Sequence, residues 1–361
     1  MGLLTQLRAN RRAAGLMAER LTARGHGRWH VMLRLAPQAA ALRAWRKVAY
    51  AVNDGVLQRL ITPSRFRRFV AARGKELDGC FFVIVMPDTL HFLLPCLRLA
   101  APHARIVLLL NGARQWEADL LRERFAQMPQ FRVAALPNSS VGHGAMINLL
   151  LEYCEHDFGL LDHDLYLFDP SIFSQLRFEE DEFLLCLFKA ASEDGRWTYP
   201  LTHFLYFRIE AFKRLMKQYG VGAQAYRAAP ASARSRLASL GLGEGETMKS
   251  YHAFYDTLHV LLGLAYADGL AFAQVEPGIA DSVYHIGGTS IGTHYTKDLI
   301  QLYTHLRFVE LSGEPLLRRH YARLAAPFAS ADEVHRKLAG TAHDFQQVAL
   351  VDRLVAKLQG A

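Results

Sequence analysis

The chain predicts an α/β fold with a mostly parallel central sheet, flanked by N-terminal and C-terminal helical segments. Three observations carry that expectation. Between about residues 79 and 161 short aliphatic runs alternate with longer stretches of helical spacing. Each run ends in residues that favour a turn, and both ends of the chain lack such runs but keep a helical period. In order, residues 80–86 read as extended, 90–99 as helical, 105–110 as extended, 116–127 as helical, 131–136 as extended, 144–154 as helical and 158–161 as extended. Repeated winding of this kind places ligands outside the carboxyl ends of the strands. Pro87 with Asp88, Asn111 with Gly112, Pro137 with Asn138, and Asp162 through Asp164 all fall at such ends.

The rest is less regular. Residues 176–285 read as shorter strands and helices, and 296–361 as largely helical by the spacing of Leu, Val and Ala. Residues 227–246, rich in Ala, Ser, Gly and Arg, suit a lid or an ordinary surface loop. The expected organisation is a basic helical segment over 1–75, a main domain over 76–295 and a helical segment over 296–361.

With 361 residues, 51% of them hydrophobic, the chain can bury a large core. Its charge is uneven. Residues 1–75 hold 16 Lys and Arg against only Glu19 and Asp54, a net of +14, so the remainder of a chain of net +8 carries −6. A basic, partly apolar helical surface can lie on an anionic membrane or dock on an acidic body of the same chain. Nucleic acid is not expected as a partner, because aromatic interleaving is sparse and no helix-turn-helix or RNA-binding signature appears. Cys80, Cys96, Cys154 and Cys186 lack CxxC spacing and sit in apolar contexts, as reduced core thiols do. Scattered arginines in the N-terminus argue against a secretory leader. The most apolar stretch, 81–102, is broken by Pro87, Asp88, Pro95 and Arg98, so it is not a membrane span. A cytoplasmic protein is expected, peripheral at the inner face of the membrane if the basic segment binds lipid.

Asp162 and Asp164 follow the last apolar run, 158–161. Carboxylates two apart on an extended strand point the same way, and two hard oxygens can hold Mg²⁺ or Mn²⁺ whose other positions take phosphate oxygens and water. An Asp-x-Asp after an apolar strand also occurs in haloacid dehalogenase type phosphohydrolases. Here Leu165, Tyr166 and Leu167 follow, without the nearby Ser or Thr that steadies the phosphate in that chemistry. Gly142-His143-Gly144 partly imitates a dinucleotide fingerprint, but it follows the third strand and lacks the last glycine, as a plain helix entry would. His252, His259 and His294 lie on an apolar or aromatic background and read as core or surface residues.

The order of these pieces resembles a known family. Val83-Ile84-Val85-Met86-Pro87-Asp88 and Val107-Leu108-Leu109-Leu110-Asn111-Gly112-Ala113 resemble the first two nucleotide-binding strands of the family 2 type glycosyltransferases of GT-A fold. Pro137-Asn138 through Gly142, Ala145 and Asn148 resembles the loop and helix before that family's aspartate pair, and Leu161-Asp162-His163-Asp164 resembles the pair itself. Phe207-Arg208-Ile209-Glu210-Ala211-Phe212 is similar to its acceptor-side strand and helix, and Tyr255-Asp256-Thr257-Leu258 to its acidic catalytic helix. Val283-Tyr284-His285-Ile286-Gly287-Gly288-Thr289-Ser290 stands where such enzymes often carry a metal-binding histidine.

The resemblance covers about residues 80–290. It implies a GT-A fold and a metal-dependent hexosyltransferase that moves a sugar from a nucleotide diphosphate sugar to a hydroxyl acceptor on a glycan, lipid or protein. It further implies Mn²⁺ or Mg²⁺ at Asp162, Asp164 and His285, donor contacts from Pro87, Asp88, Asn111, Asn138, Asn148 and Asp162, and Asp256 as general base. Three positions depart from the pattern: Asn111 replaces the usual aspartate that holds the base, Tyr255 a glutamate and Ile147 an arginine. A noncatalytic membrane-associated scaffold, with the basic segment as its working surface, is the remaining alternative.

Overall fold

A computed structural model describes residues 15–192, 195–243, 248, 254–289, 297–339 and 345–360. His252, His294, Ser290 and residues 244–246 of the Ala- and Ser-rich stretch lie outside them.

The described chain forms two compact units. One, comprising Ala49–Pro87 and Cys96–His285, contains a seven-stranded sheet. Its strands are β1 (Phe81–Val85), β2 (Ile106–Leu110), β3 (Gln130–Arg132), β4 (Phe158–Leu161), β6 (Glu182–Cys186), β9 (Phe204–Phe207) and β10 (Ala271–Gln274). The order is β10-β6-β9-β4-β1-β2-β3, and every neighbouring pair is parallel except the two that involve β9. The expected α/β class with a mostly parallel sheet is therefore observed. β1, β2 and β4 are buried along their whole length, which is why they read as unbroken apolar runs rather than alternating ones.

The first half of the sheet follows the expected alternation closely. Helices Leu90–Ala100, Gln115–Arg124 and His143–Tyr153 intervene between β1, β2, β3 and β4. β3 is shorter than expected: it ends at Arg132, and a last bond to β2 follows from the Val133 amide to the Leu110 carbonyl (3.2 Å). Two separate two-stranded antiparallel sheets accompany it, β5 (Leu165–Leu167) with β11 (Val283–His285), and β7 (Lys189–Ala191) with β8 (Thr198–Pro200). Part of the Ala- and Ser-rich stretch is packed rather than lid-like, since helix Arg234–Ser239 buries Leu237 and is flanked by buried Ala229, Ala233 and Leu242. The four cysteines are free and buried.

Two contacts fix the loop that enters helix His143–Tyr153. Gly112 (φ 83°) closes β2 in the left-handed region, and a Cβ there would run into the Ser139 carbonyl. Asn53, fully buried, donates from Nδ2 to Ser139 Oγ (2.9 Å) and to the Ser140 carbonyl (3.0 Å), while its Oδ1 accepts from the Leu136 amide (2.9 Å). Together with buried Thr62, Phe66 and Leu77, this ties the second half of the basic segment into the sheet unit. Asn53→Ala strands several enclosed polar groups at once, and we expect a loss of about 3 kcal/mol of stability by urea unfolding with an unchanged m-value.

The other unit contains the described residues of Met1–Val48, Asp88–Pro95 and Ile286–Ala361 and is helical. Its helices Leu299–Ser312, Pro315–Tyr321, Ala331–Ala339 and Phe345–Gly360 agree with the expected helical C-terminal segment. Asp298 caps the first of them through a reciprocal pair with Gln301. Leu302, Leu306, Leu317, Val334, Val351 and Leu354 form apolar buried faces on these helices.

Candidate functional site

Three chain segments converge beyond the carboxyl end of β4. β4 closes at Leu161, and its antiparallel neighbour β9 opens at Phe204, directly opposite. The residues just past this pair are Asp162 and His203, and the Asp162 amide donates to the His203 carbonyl (2.9 Å). Their side chains meet as well, with His203 Nδ1 3.2 Å from Asp162 Oδ2. The chain then turns tightly, the Leu165 amide donating to the Asp162 carbonyl (3.2 Å), and enters β5. Its antiparallel partner β11 ends at His285, opposite Leu165. That register sets His285 Nε2 3.4 Å from Asp164 Oδ1 and 3.8 Å from Asp162 Oδ2. The His285 ring stacks on His203, with centroids 3.6 Å apart and planes 24° from parallel.

Asp162, His203 and His285 thus offer one ligand atom each, all within 4.8 Å of one another. Such a spacing suits atoms that share one cation at about 2.0–2.2 Å. The set could hold a metal ion. Asp164 is almost wholly buried beside His285. The structure therefore brings together Asp162, Asp164 and His285, as the sequence suggests, but by a different geometry. The two carboxylates do not alternate along one extended strand; they sit in a turn between β4 and β5, where the Asp162 carbonyl closes the loop onto Leu165. His203 is new. Its signal in the sequence is a histidine at the threshold of the apolar run 204–207, which acquires meaning only once β9 is placed antiparallel to β4.

A third imidazole lies close. His143 opens helix His143–Tyr153, and its Nε2 is enclosed without a hydrogen-bond partner. Burial holds its pKa below the usual histidine value, and the negative charges of Asp162 and Asp256 work against that burial. Asp162 and Asp256 are therefore both within electrostatic reach of one imidazole. Asp256 precedes helix His259–Ala267, and its carboxylate accepts from the Thr257 amide (2.8 Å). The helix cap itself falls on Leu258 in the left-handed region, so Asp256 is not the capping residue.

The expected donor contacts are dispersed. Asn111 is buried and spends both poles on Val141, Nδ2 donating to its carbonyl (3.0 Å) and Oδ1 accepting from its amide (2.8 Å). It shapes the loop after β3. Asn138 lies in that loop, exposed and in the left-handed region. Asn148 Oδ1 accepts from the Ala223 amide and its Nδ2 donates to Gln224. Pro87 follows β1, whereas Asp88 belongs to the helical unit, where its charge raises the pKa of Lys297 against the larger lowering by burial. The two remaining departures are structural. Tyr255 is buried, its hydroxyl bonded to the Leu242 and Gly243 carbonyls at 2.8 and 2.7 Å, and Ile147 is fully buried in the core.

Residues 58–212 match the family model of the StrH glycosyltransferase N-terminal domain. The matched span is less than half of the chain. It takes in β1 through β9 with Asp162, Asp164 and His203, and stops before Asp256 and His285. A search of curated proteins finds no match. The chain is glycosyltransferase-like over this span, on a sheet of GT-A-like kind.

Proposed function

We propose that the protein is a metal-dependent glycosyltransferase that moves a sugar from a nucleotide diphosphate sugar to a hydroxyl acceptor. The observation that carries this reading is the cluster of Asp162, His203 and His285 at the open end of the sheet, two of its three members inside the glycosyltransferase-like span. One carboxylate and two imidazoles form a mixed donor set. Mg²⁺ prefers oxygen alone, so of the two expected cations Mn²⁺ fits better. Asp162, His203 and His285 would hold it, with Asp164 supplying a further oxygen at the same place. Such an ion supplies Lewis-acid neutralisation of the charge that builds on a departing nucleotide diphosphate.

Asp256 is the proposed general base. It would take the proton from the acceptor hydroxyl as that oxygen attacks the anomeric carbon. His143, whose pKa burial lowers, lies within the electrostatic reach of both Asp162 and Asp256. Pro87 and Asn138 flank the donor side, with Asn111 acting through the loop it holds. A screen of nucleotide sugars for Mn²⁺-dependent hydrolysis or transfer tests the activity. Failure of any nucleotide diphosphate, with Mn²⁺ present, to raise the melting temperature would overturn it.

Among the described residues no helix is long and apolar enough to cross a membrane. The proposed route to a lipid surface is the basic segment. Trp29, Met32 and Leu33 are exposed at 73%, 52% and 75%, at i, i+3 and i+4 along one helical stretch, with exposed Arg28 and Arg34 beside them. Trp with aliphatic neighbours and arginine is the composition of an interfacial anchor. We expect sedimentation with anionic vesicles at low salt, release at high salt, and loss of binding in Trp29→Ala with Leu33→Ala. Equal binding to neutral vesicles, or none to either, would remove the membrane role.

A further inference from the structure

A cavity of about 500 Å³ opens inside the sheet unit, between the Tyr50–Pro63 stretch and the start of helix His143–Tyr153. Thr257 lines it, one residue after Asp256. We infer that this cavity is the acceptor site, and that it takes a neutral carbohydrate unit whose hydroxyl is presented toward Asp256. The assignment of a role to the occupant rests on the glycosyltransferase reading.

The lining chemistry chooses the occupant. Two carboxylates, Asp54 and Glu152, stand against one guanidinium, Arg59, so a diphosphate would be repelled rather than gathered. What remains is neutral and hydrogen-bonding: the amides of Gln58, Asn148 and Gln224 and the hydroxyls of Tyr50 and Thr257. Tyr50 and Tyr153 add aromatic surface. A polyol both donates and accepts at every hydroxyl, so it can satisfy such a mixed wall, while the C–H face of a sugar ring packs on an aromatic one.

A second observation points to a ligand. His143 lines the same cavity and keeps an enclosed Nε2 with no partner among the described residues, a group that is costly to leave unsatisfied. Asp162 and Asp256 both act electrostatically on this ring, and Thr257, next to Asp256, lines the same cavity, so the occupant lies near the proposed base. The wall is built, too. Asp54 Oδ1 accepts from the Gly142 amide (3.1 Å), and a Cβ on Gly142 would collide with the Tyr50 hydroxyl. The N-terminal segment is thereby seated against the helix entry as one side of the site.

The test is saturation-transfer NMR on the full chain with a panel of methyl glycosides of neutral hexoses and N-acetylhexosamines. At least one glycoside should receive transfer. Ala225→Trp, at an exposed position on the cavity lining, should abolish it without disturbing Mn²⁺-dependent nucleotide binding. His143→Ala should weaken it by roughly tenfold. No transfer to any glycoside in the unaltered protein, or transfer that survives both substitutions, overturns the assignment. Nucleotide binding keeps the two proposals apart. Glycoside binding without nucleotide binding would leave the cavity a carbohydrate site and remove the transferase, whereas nucleotide binding without glycoside binding would do the reverse.

Discussion

Asp162→Ala is expected to lower Mn²⁺-dependent turnover of the donor by roughly 10²-fold or more, with the melting temperature close to that of the unaltered protein. The size follows from position. Asp162 Oδ2 is the atom approached by both His203 and His285, so its removal takes the carboxylate from the cluster and leaves two imidazoles. The mildness toward the fold follows from exposure, because the side chain is one-quarter accessible and its backbone bond to His203 persists without it. His203→Ala should behave alike. Asp164→Ala should lose stability as well, since that carboxylate is buried against His285. Calorimetric titration with Mn²⁺, with and without nucleotide diphosphate, separates metal loss from unfolding. Undiminished Mn²⁺ affinity in Asp162→Ala would sink the metal assignment.

Asp256→Asn should keep nucleotide affinity and lower the turnover number by roughly 10²-fold or more. The substitution is nearly isosteric, and the amide oxygen can still accept from the Thr257 amide, so the approach to helix His259–Ala267 survives. What is lost is the capacity to take a proton. A general base acts on the transition state, so the defect belongs in the turnover number rather than in donor binding. Single-turnover rates with donor bound make the distinction. If the rate per bound donor stayed normal while donor affinity fell, Asp256 would be a binding residue.

The strands that read most clearly in the sequence are those buried on both faces. β1, β2 and β4 stand where their apolar runs place them, because a strand enclosed on two sides needs uninterrupted hydrophobicity and nothing else can use it. β3 is shorter than its apolar run: Val133 still donates its amide to the Leu110 carbonyl of β2, and the residues beyond it continue as a loop. At the site, Asp162 and Asp164 are legible as carboxylates beyond an apolar run and His285 through the family resemblance, whereas His203 carries no motif. Asn111 looked like a donor contact and is instead bonded to Val141, which no pattern of residues could show.

By itself the sequence determined the α/β alternation, the sheet ends at which polar residues collect, and the separation of a basic segment from an acidic body. These are local properties, set by the period of apolar residues and by turn chemistry over a few positions. Tertiary structure alone decided the make-up of the metal cluster and of the cavity. Asp162 meets His203 across 41 residues because β9 is the one reversed strand in the sheet, and it meets His285 because β11 returns to pair with β5. Strand partners and their register depend on which hydrophobic faces bury one another across the whole chain, and a contact of that range leaves no spacing in the sequence from which it could be read.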